Sequence, residues 1–194
     1  MADQGTLRHR PPHTSDRPMR LSLLVLALVP CLLAPAAAAQ STPVSDAFRK
    51  GEERASRHLI AAAEEMPADK YGYKPTPAQM SFGDVIHHLA EGNDFLCGQI
   101  SGAAAPKRAE VKPAAGKDKL VARLKETFDF CASALAKVND SDLGGKVKLF
   151  GPRDFTRVEA MFITVDDWAD HYSQLANYLR LNGRVPPTAK EKEE

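Results

Sequence analysis

The sequence lacks the short motifs that identify most nucleotide-dependent enzymes and many hydrolases. A glycine-rich phosphate loop is absent, and so are Gly-x-Ser-x-Gly, Cys-x-x-Cys and His-Glu-x-x-His. The chain also lacks an excess of either charge, because its 26 basic and 25 acidic residues nearly cancel. This balance gives no electrostatic reason to expect nucleic acid or an anionic membrane as a partner. Nucleotide binding and Ser–His–Asp hydrolysis are not indicated either.

A long apolar run occurs near the amino terminus. It extends from Leu21 to Ala39, follows Met19-Arg20 and ends in the small residues Ala-x-Ala. A basic start, an apolar core and an alanine-rich end are typical of a secretory signal peptide. A membrane anchor is the alternative, since the run is only slightly shorter than a spanning helix requires. Pro30 and Pro35 interrupt the run and favour the signal peptide.

These features divide the chain into three parts. Residues 1–39 are predicted to be a leader and secretory signal peptide, with Met19 as the natural start. Residues 40–189 are predicted to form one compact domain, and residues 190–194 a charged disordered tail. We therefore expect an exported protein, periplasmic or secreted, without membrane contact after signal removal.

Cysteine is scarce, with three residues in the chain. Cys31 falls within the predicted signal peptide, which leaves Cys97 and Cys131 in the mature protein. In an exported protein, an even pair of thiols indicates a disulfide first. Two buried free thiols are the alternative. A catalytic cysteine is not favoured in an oxidising compartment.

Convincing strand-like alternation is missing as well, although Val147–Phe150 could be a short extended piece. Helical periodicity instead marks four stretches. Two of them open with capping boxes, Ser81-Phe-Gly-Asp84 and Thr156-Arg-Val-Glu159. The predicted helices cover residues 45–66, 81–102, 117–138 and 156–182. Four amphipathic helices of similar length predict an all-α fold, a four-helix bundle, with connections long enough for a crossover.

A carboxylate and an imidazole lie one turn apart on the fourth predicted helix. Asp167 and His171 have i, i+4 spacing, and Trp168 and Leu175 place His171 on the core-facing side. A carboxylate beside an apolar stripe is costly unless it is paired, hydrogen-bonded or bound to a cation. The pattern by itself is weak, because a structural Asp–His hydrogen bond explains it more simply.

The second predicted helix offers a further imidazole. His88 borders the apolar stripe of this helix, whereas His87 lies beside acidic residues and is expected to face solvent. His58, on the first helix, is expected at the surface or half-buried. If the second and fourth helices pack side by side, two imidazoles and one carboxylate converge at His88, Asp167 and His171. This set points to metal binding before it points to any reaction.

Three stretches of the chain are similar to those of a known family. They are Met-Pro-Ala-Asp-Lys-Tyr-Gly-Tyr-Lys-Pro-Thr-Pro at 66–77, the segment around His-His-Leu-Ala at 81–93, and 171–187, which closes with Leu-Asn-Gly-Arg-Val-Pro-Pro. The chain thereby resembles the DinB-like superfamily, the damage-inducible proteins of bacilli and their metal-dependent relatives. The resemblance implies a four-helix bundle, often a homodimer, with a divalent cation held by three histidines. One histidine comes from His-Leu-Ala and two from His-x-x-x-His.

Transferred to this sequence, the resemblance implies a departure from the three-histidine pattern. The ligands fall on His88, His171 and, in place of one histidine, Asp167. A His–His–Asp set still suits one Zn²⁺, Ni²⁺, Mn²⁺ or Fe²⁺ ion with positions left for water or substrate. It equally fits a branch of the family without metal. Members with known activity are metal-dependent transferases that use a low-molecular-weight thiol, and some are hydrolases or isomerases.

The sequence thus predicts an exported, DinB-like protein that uses one divalent metal ion for hydrolysis or group transfer on a small molecule. Gln174 is a candidate for orienting a ligand, and Trp168 or Tyr172 for a pocket wall. A cytosolic thiol cofactor is poorly accessible to an exported protein. The alternative is a metal-free bundle that acts as a binding or interaction module, in which Asp167 and His171 are only hydrogen-bonded.

Overall fold

The computed structural model describes residues 42–190. The predicted signal peptide and residues 191–194 of the predicted tail lie outside this part of the chain. The elements in chain order are α1 Pro43–Glu65, α2 Phe82–Ser101, α3 Lys117–Leu135, β1 Lys146–Lys148, β2 Asp154–Thr156, α4 Arg157–Leu181 and α5 Pro187–Lys190. Among residues 42–190, no helix combines the length and apolar character needed to span a bilayer.

Local sequence signals explain where α2 and α4 begin. The side chains of Ser81 and Thr156 accept hydrogen bonds from the backbone N–H groups of Asp84 and Glu159, and these two carboxylates accept from the capping residues in return. Both predicted capping boxes are confirmed. Helix α2 ends at Ser101 and is followed by the capping residue Gly102, whose φ of 75° is readily adopted by glycine.

The four long helices form a bundle, and the predicted fold is confirmed. Helices α1 and α2 each pack against both α3 and α4, so they lie at opposite corners. Segment 66–81 therefore crosses the bundle instead of making a tight turn. Helix α1 runs parallel to α4, with Phe48 on Trp168 and His58 on Tyr172. Helices α2 and α3 form the other parallel pair, which runs in the opposite direction.

The interior of the bundle is filled by large apolar side chains from all four helices. Fully or almost fully buried are Leu59, Phe82, Ile86, Leu89, Leu120, Leu124, Phe128, Leu135, Trp168, Leu175 and Leu179. Burial of one such side chain stabilises the fold by about 1.5–3 kcal/mol. A continuous core of this kind holds the facing surfaces of α2 and α4 in a defined register.

A disulfide joins the parallel helices α2 and α3. Cys97 and Cys131 are bonded, with their Cα atoms 5.2 Å apart and no exposed surface on either residue. The predicted bridge is confirmed. A second link, from the Asn93 side-chain amide to the Thr127 hydroxyl at 3.2 Å, lies one turn earlier.

The extended piece considered at Val147–Phe150 is present in part as β1, whereas its partner strand β2 and helix α5 are additions to the predicted architecture. The strands β1 and β2 pair antiparallel, with Val147 opposite Phe155 and both side chains buried. Three-residue strands are too short to show a period of two, which is why the alternation was not evident. Helix α5 is a single short turn of four residues, Pro187–Lys190. It is held where the Tyr172 hydroxyl donates to Thr188 at 2.9 Å.

Candidate metal centre

Antiparallel packing of α2 on α4 brings one histidine of α2 to the Asp–His pair of α4. The potential ligand atoms of His88, Asp167 and His171 all lie within 4.8 Å of one another. The Oδ1 atom of Asp167 is 3.4 Å from Nε2 of His171 and 3.7 Å from Nε2 of His88. The two imidazole rings are 4.7 Å apart. The three residues singled out in the sequence therefore meet, and their role as metal ligands stays a prediction.

A buried polar chain beneath the cluster sets the register of α2 and α4. The indole N–H of Trp168, next to Asp167, donates to the side-chain oxygen of Asn93 at 2.8 Å. The amide of Asn93 continues to Thr127 on α3. Since an unpaired polar group in this interior would be costly, these bonds disfavour any slip of one helix along the other. They keep the carboxylate of α4 opposite the imidazole of α2.

A second polar chain orients the ring of His171. The hydroxyl of Tyr178 donates to the backbone carbonyl of Met80 at 3.0 Å, so it must accept from the Gln174 amide at 2.9 Å. The side-chain oxygen of Gln174 then faces Nδ1 of His171 at 3.2 Å, and Nδ1 is the donor. Because the carbonyl of Met80 can only accept, it determines which group donates in each hydrogen bond of this series. Nε2 of His171 is the nitrogen turned toward Asp167.

The environment of His171 raises its pKa above the ordinary value of histidine. The main cause is the hydrogen bond with Asp167, and desolvation by burial opposes it. A raised pKa means that Nε2 holds a proton readily beside the carboxylate. In the neutral ring, Nε2 carries a lone pair in place of the proton, and this lone pair points toward the Asp167 carboxylate. Either a proton or a cation therefore satisfies the pair Asp167–His171.

The spacing of the donor atoms fits a small divalent cation. Histidine nitrogens and carboxylate oxygens lie about 2.0–2.2 Å from Zn²⁺, so two ligands of a tetrahedral site are about 3.4 Å apart. The distances of 3.4 and 3.7 Å from Asp167 to the two imidazoles are close to this value. Two imidazoles and one carboxylate suit Zn²⁺, Ni²⁺, Mn²⁺ and Fe²⁺. His88, Asp167 and His171 therefore fit the divalent cation that the sequence implied.

The cluster lies at the surface of the bundle, open on one side. The side chain of His88 is 47% exposed, whereas that of His171 is 13% exposed. The side chain of His87 is 21% exposed and lies 3.4 Å from Glu91. The expectation that His87 would be the more solvent-facing of the two was wrong. Ala105, Arg108 and Val111 line one cleft together with His87, and helical periodicity cannot reveal this tertiary neighbourhood.

Trp168 and Tyr172 lie on the other flank of α4. Both line a cleft of about 230 Å³ between α1 and α4, together with Gly51 and His58. Both residues therefore line a pocket, but its lining does not include His88, Asp167 or His171. His58 is half-buried there, as expected, with its ring 5.5 Å from that of Tyr172.

Gly92 is the residue beside the cluster that sequence reasoning missed. It follows His88 by one turn on α2, and a Cβ atom built on it would lie 3.8 Å from Oδ2 of Asp167. A glycine in a helix interior costs about 0.5–1 kcal/mol relative to alanine. A glycine inside a predicted helix, one turn after the candidate ligand His88, is the signal that could have identified Gly92.

Comparison with known proteins agrees with this architecture. The family model of the DinB superfamily matches residues 53–175. A DinB-like protein from Bacillus subtilis superimposes with a TM-score of 0.60 at 18% identity, covering 72% of this chain and 93% of that one. For a DinB-like protein from Bacillus cereus, the TM-score is 0.62 at 14% identity, with 73% and 95% covered.

A protein from Enterococcus faecalis superimposes with a TM-score of 0.57 at 16% identity, covering 71% of this chain and 96% of that one. No protein with a curated description matches at a significant level. Identities this low establish a shared fold and nothing more. The family model spans well over half of the chain and carries the assignment further. The chain belongs to the DinB superfamily.

Proposed function

We propose that this protein is an exported metalloprotein in which His88, Asp167 and His171 hold one divalent cation for hydrolysis or group transfer on a small molecule. One observation carries the proposal. One nitrogen from each of two imidazoles and one carboxylate oxygen converge within 4.8 Å on the open side of two packed helices. A divalent cation with three protein ligands supplies Lewis-acid chemistry, since it polarises a substrate and lowers the pKa of a bound water or thiol.

Asp167, Gln174 and His88 each have a separate role at the proposed metal centre. Asp167 provides the negative charge that balances part of the cation, and it faces both imidazoles. Gln174 holds His171 in the orientation that aims Nε2 at Asp167. Orienting hydrogen bonds of this kind are typical of histidines that bind metals. The exposed side of His88 leaves access for a substrate.

Export is part of the proposal, and the disulfide supports it. Bridges such as Cys97–Cys131 persist mainly in oxidising compartments. Low-molecular-weight thiols are kept reduced chiefly inside cells, so water is the more accessible nucleophile for an exported protein. Between the two reaction types, we therefore favour hydrolysis.

Elemental analysis tests the proposal directly. Untagged protein comprising residues 40–194 is incubated separately with Zn²⁺, Ni²⁺, Mn²⁺ and Fe²⁺, dialysed, and analysed. We expect about one equivalent of one ion in the parent and strong depletion in His88→Ala, Asp167→Ala and His171→Ala. His87→Ala and Asp166→Ala are the matched controls, because each removes the same side chain from a neighbouring position. Parent protein that retains no ion under any condition would falsify the proposal.

The alternative function is a metal-free binding module, and the Asp167–His171 pair is the observation that favours it. A protonated His171 satisfies the carboxylate without a cation, in line with its raised pKa. In that case, Asp167→Ala lowers the free energy of unfolding, and none of the ions raises it in the parent. The effect of the ions on the stability of the parent therefore separates the two functions.

A further inference from the structure

Two partly exposed aromatic rings lie along the same face of α2 as the candidate metal centre. Phe95 is 37% exposed and Phe150 is 59% exposed. Their ring centroids are 5.6 Å apart with an interplanar angle of 39°. Phe95 follows His88 by seven residues, which is two helical turns on one side of a helix. The Cα atom of Phe95 therefore lies about 10 Å along α2 from that of His88, and Phe150 packs on the Phe95 ring.

Gly92 occupies the position between these two points. It lies one turn after His88, three residues before Phe95, and beside the carboxylate of Asp167. Because glycine has no side chain, α2 itself places no bulk between His88 and Phe95 at this position. His88, Gly92 and Phe95 thus follow one another on one face of α2.

The position of Phe150 is a product of the hairpin. Val147 and Phe155 anchor the two strands with buried side chains, and β1 contacts both α2 and α4. The chain turns beyond Phe150 at Gly151, whose φ is +70°. The fold therefore holds Phe150 on Phe95 at the surface, where its ring is left largely in water. An aromatic pair of this kind has apolar area available for a ligand.

We propose that Phe95 and Phe150 form an aromatic shelf that binds the apolar part of the substrate, while its reacting group lies at His88, Asp167 and His171. This inference rests on the proposed function and names its substrate class. The substrate is a small organic molecule with an aromatic or bulky alkyl group about 10 Å from the bond that reacts, a distance equal to two helical turns. The argument for this occupant is that Phe95 lies on the same face of α2 as His88 and carries Phe150 against it.

Two hydroxamates that differ only in their apolar part test the shelf. Acetohydroxamate binds an accessible metal ion through its polar group alone, and 4-phenylbutanohydroxamate adds a phenyl ring on a three-carbon spacer. Their dissociation constants are measured by calorimetry on protein loaded with the ion that it retains at one equivalent. We expect the phenyl compound to bind at least about tenfold more tightly, which corresponds to about 1.4 kcal/mol.

Substitutions locate this gain on the shelf. In Phe150→Ala and Phe95→Ala, the phenyl compound should bind no more tightly than acetohydroxamate. The affinity of acetohydroxamate and the metal content should stay unchanged. Phe162→Ala is the matched control, because Phe162 is also exposed but lines an apolar groove between α1 and α4. It should retain the full difference between the two compounds.

The failure of the shelf and the failure of the proposed function can be told apart. If the parent holds no metal, the proposed function fails and the shelf inference falls with it. If the parent holds one equivalent but both hydroxamates bind alike, the shelf inference is overturned and the proposed function stands. Identical behaviour of Phe150→Ala and Phe162→Ala would also overturn the shelf inference alone.

Discussion

His171 contacts a polar partner through each ring nitrogen, and the two partners have different consequences. Asp167 and Nε2 of His171 face the place where a cation would lie, whereas Gln174 at Nδ1 only holds the ring. The sequence marked Gln174 as a neighbour one turn away. It could not reveal Tyr178 and Met80, because their contact joins residues 98 positions apart.

Replacement of Gln174 tests the orienting role of this chain. In Gln174→Leu, Nδ1 of His171 loses its acceptor, and we expect metal affinity to fall about 10- to 100-fold while the fold is retained. Competition with a chromophoric chelator measures the dissociation constant. Gln174→Glu, which keeps an acceptor, should retain most of the affinity. Asn177→Leu is the control on the exposed side of α4, and equal losses in both leucine variants would refute the role.

Glu52 is a buried carboxyl group away from the candidate centre. Only 6% of its surface is exposed. Desolvation raises its pKa from the ordinary value of 4.5 to about 7, and the charges of Glu53 and Asp129 add to the effect. Between these two pH values, the folded protein therefore holds a proton that the unfolded chain has already released. In this window, the contribution of Glu52 to stability falls as the pH rises.

Glu52→Gln should remove this loss. One pKa unit corresponds to about 1.4 kcal/mol, and partial solvent screening reduces the total. We expect the variant to be about 2 kcal/mol more stable than the parent at about pH 8 and similar to it at about pH 4.5. Urea denaturation at a series of pH values measures the difference. A constant difference across this range would contradict the raised pKa.

At the scale of elements, the four long helices were predicted within a few residues, whereas of the hairpin only an extended piece overlapping β1 was considered. Helical periodicity repeats over many turns, and the capping boxes at Ser81 and Thr156 define two of the starts. Strands of three residues leave no comparable pattern. The sequence predicted only that the connections are long enough for a crossover. Loop length permits several connections, and core packing selects the crossing of segment 66–81.

The disulfide is the element-scale feature with the largest expected effect on stability. It closes a segment with a sequence separation of 34 residues. Loop-closure entropy for this length predicts a stabilisation of about 3–4 kcal/mol. The double variant Cys97→Ala/Cys131→Ala should lose about this amount in urea denaturation. A thiol count on the unreduced, unfolded parent is the control, and two reactive thiols would disprove the bridge.

At the scale of the whole molecule, a cation bound by α2 and α4 would couple the two parallel pairs of the bundle, α1 with α4 and α2 with α3. Binding to the folded state at about 100 times the dissociation constant stabilises it by about 2.7 kcal/mol. For a domain of this size, we expect the melting temperature to rise by about 5–10 °C. Differential scanning calorimetry with and without the ion measures the shift. Asp167→Asn should show none, and Asp166→Asn should match the parent.

The sequence by itself determined four amphipathic helices, two of their caps, a pair of cysteines and the i, i+4 relation of Asp167 to His171. All of these depend on local periodicity or on the chemistry of single residues. Only the tertiary structure decided that His88 meets that pair, that Gln174 is oriented by the carbonyl of Met80, and that Phe150 lies on Phe95. Such contacts join residues far apart in the chain, and they depend on which helix faces pack together and in which direction. Packing of the buried core makes that choice.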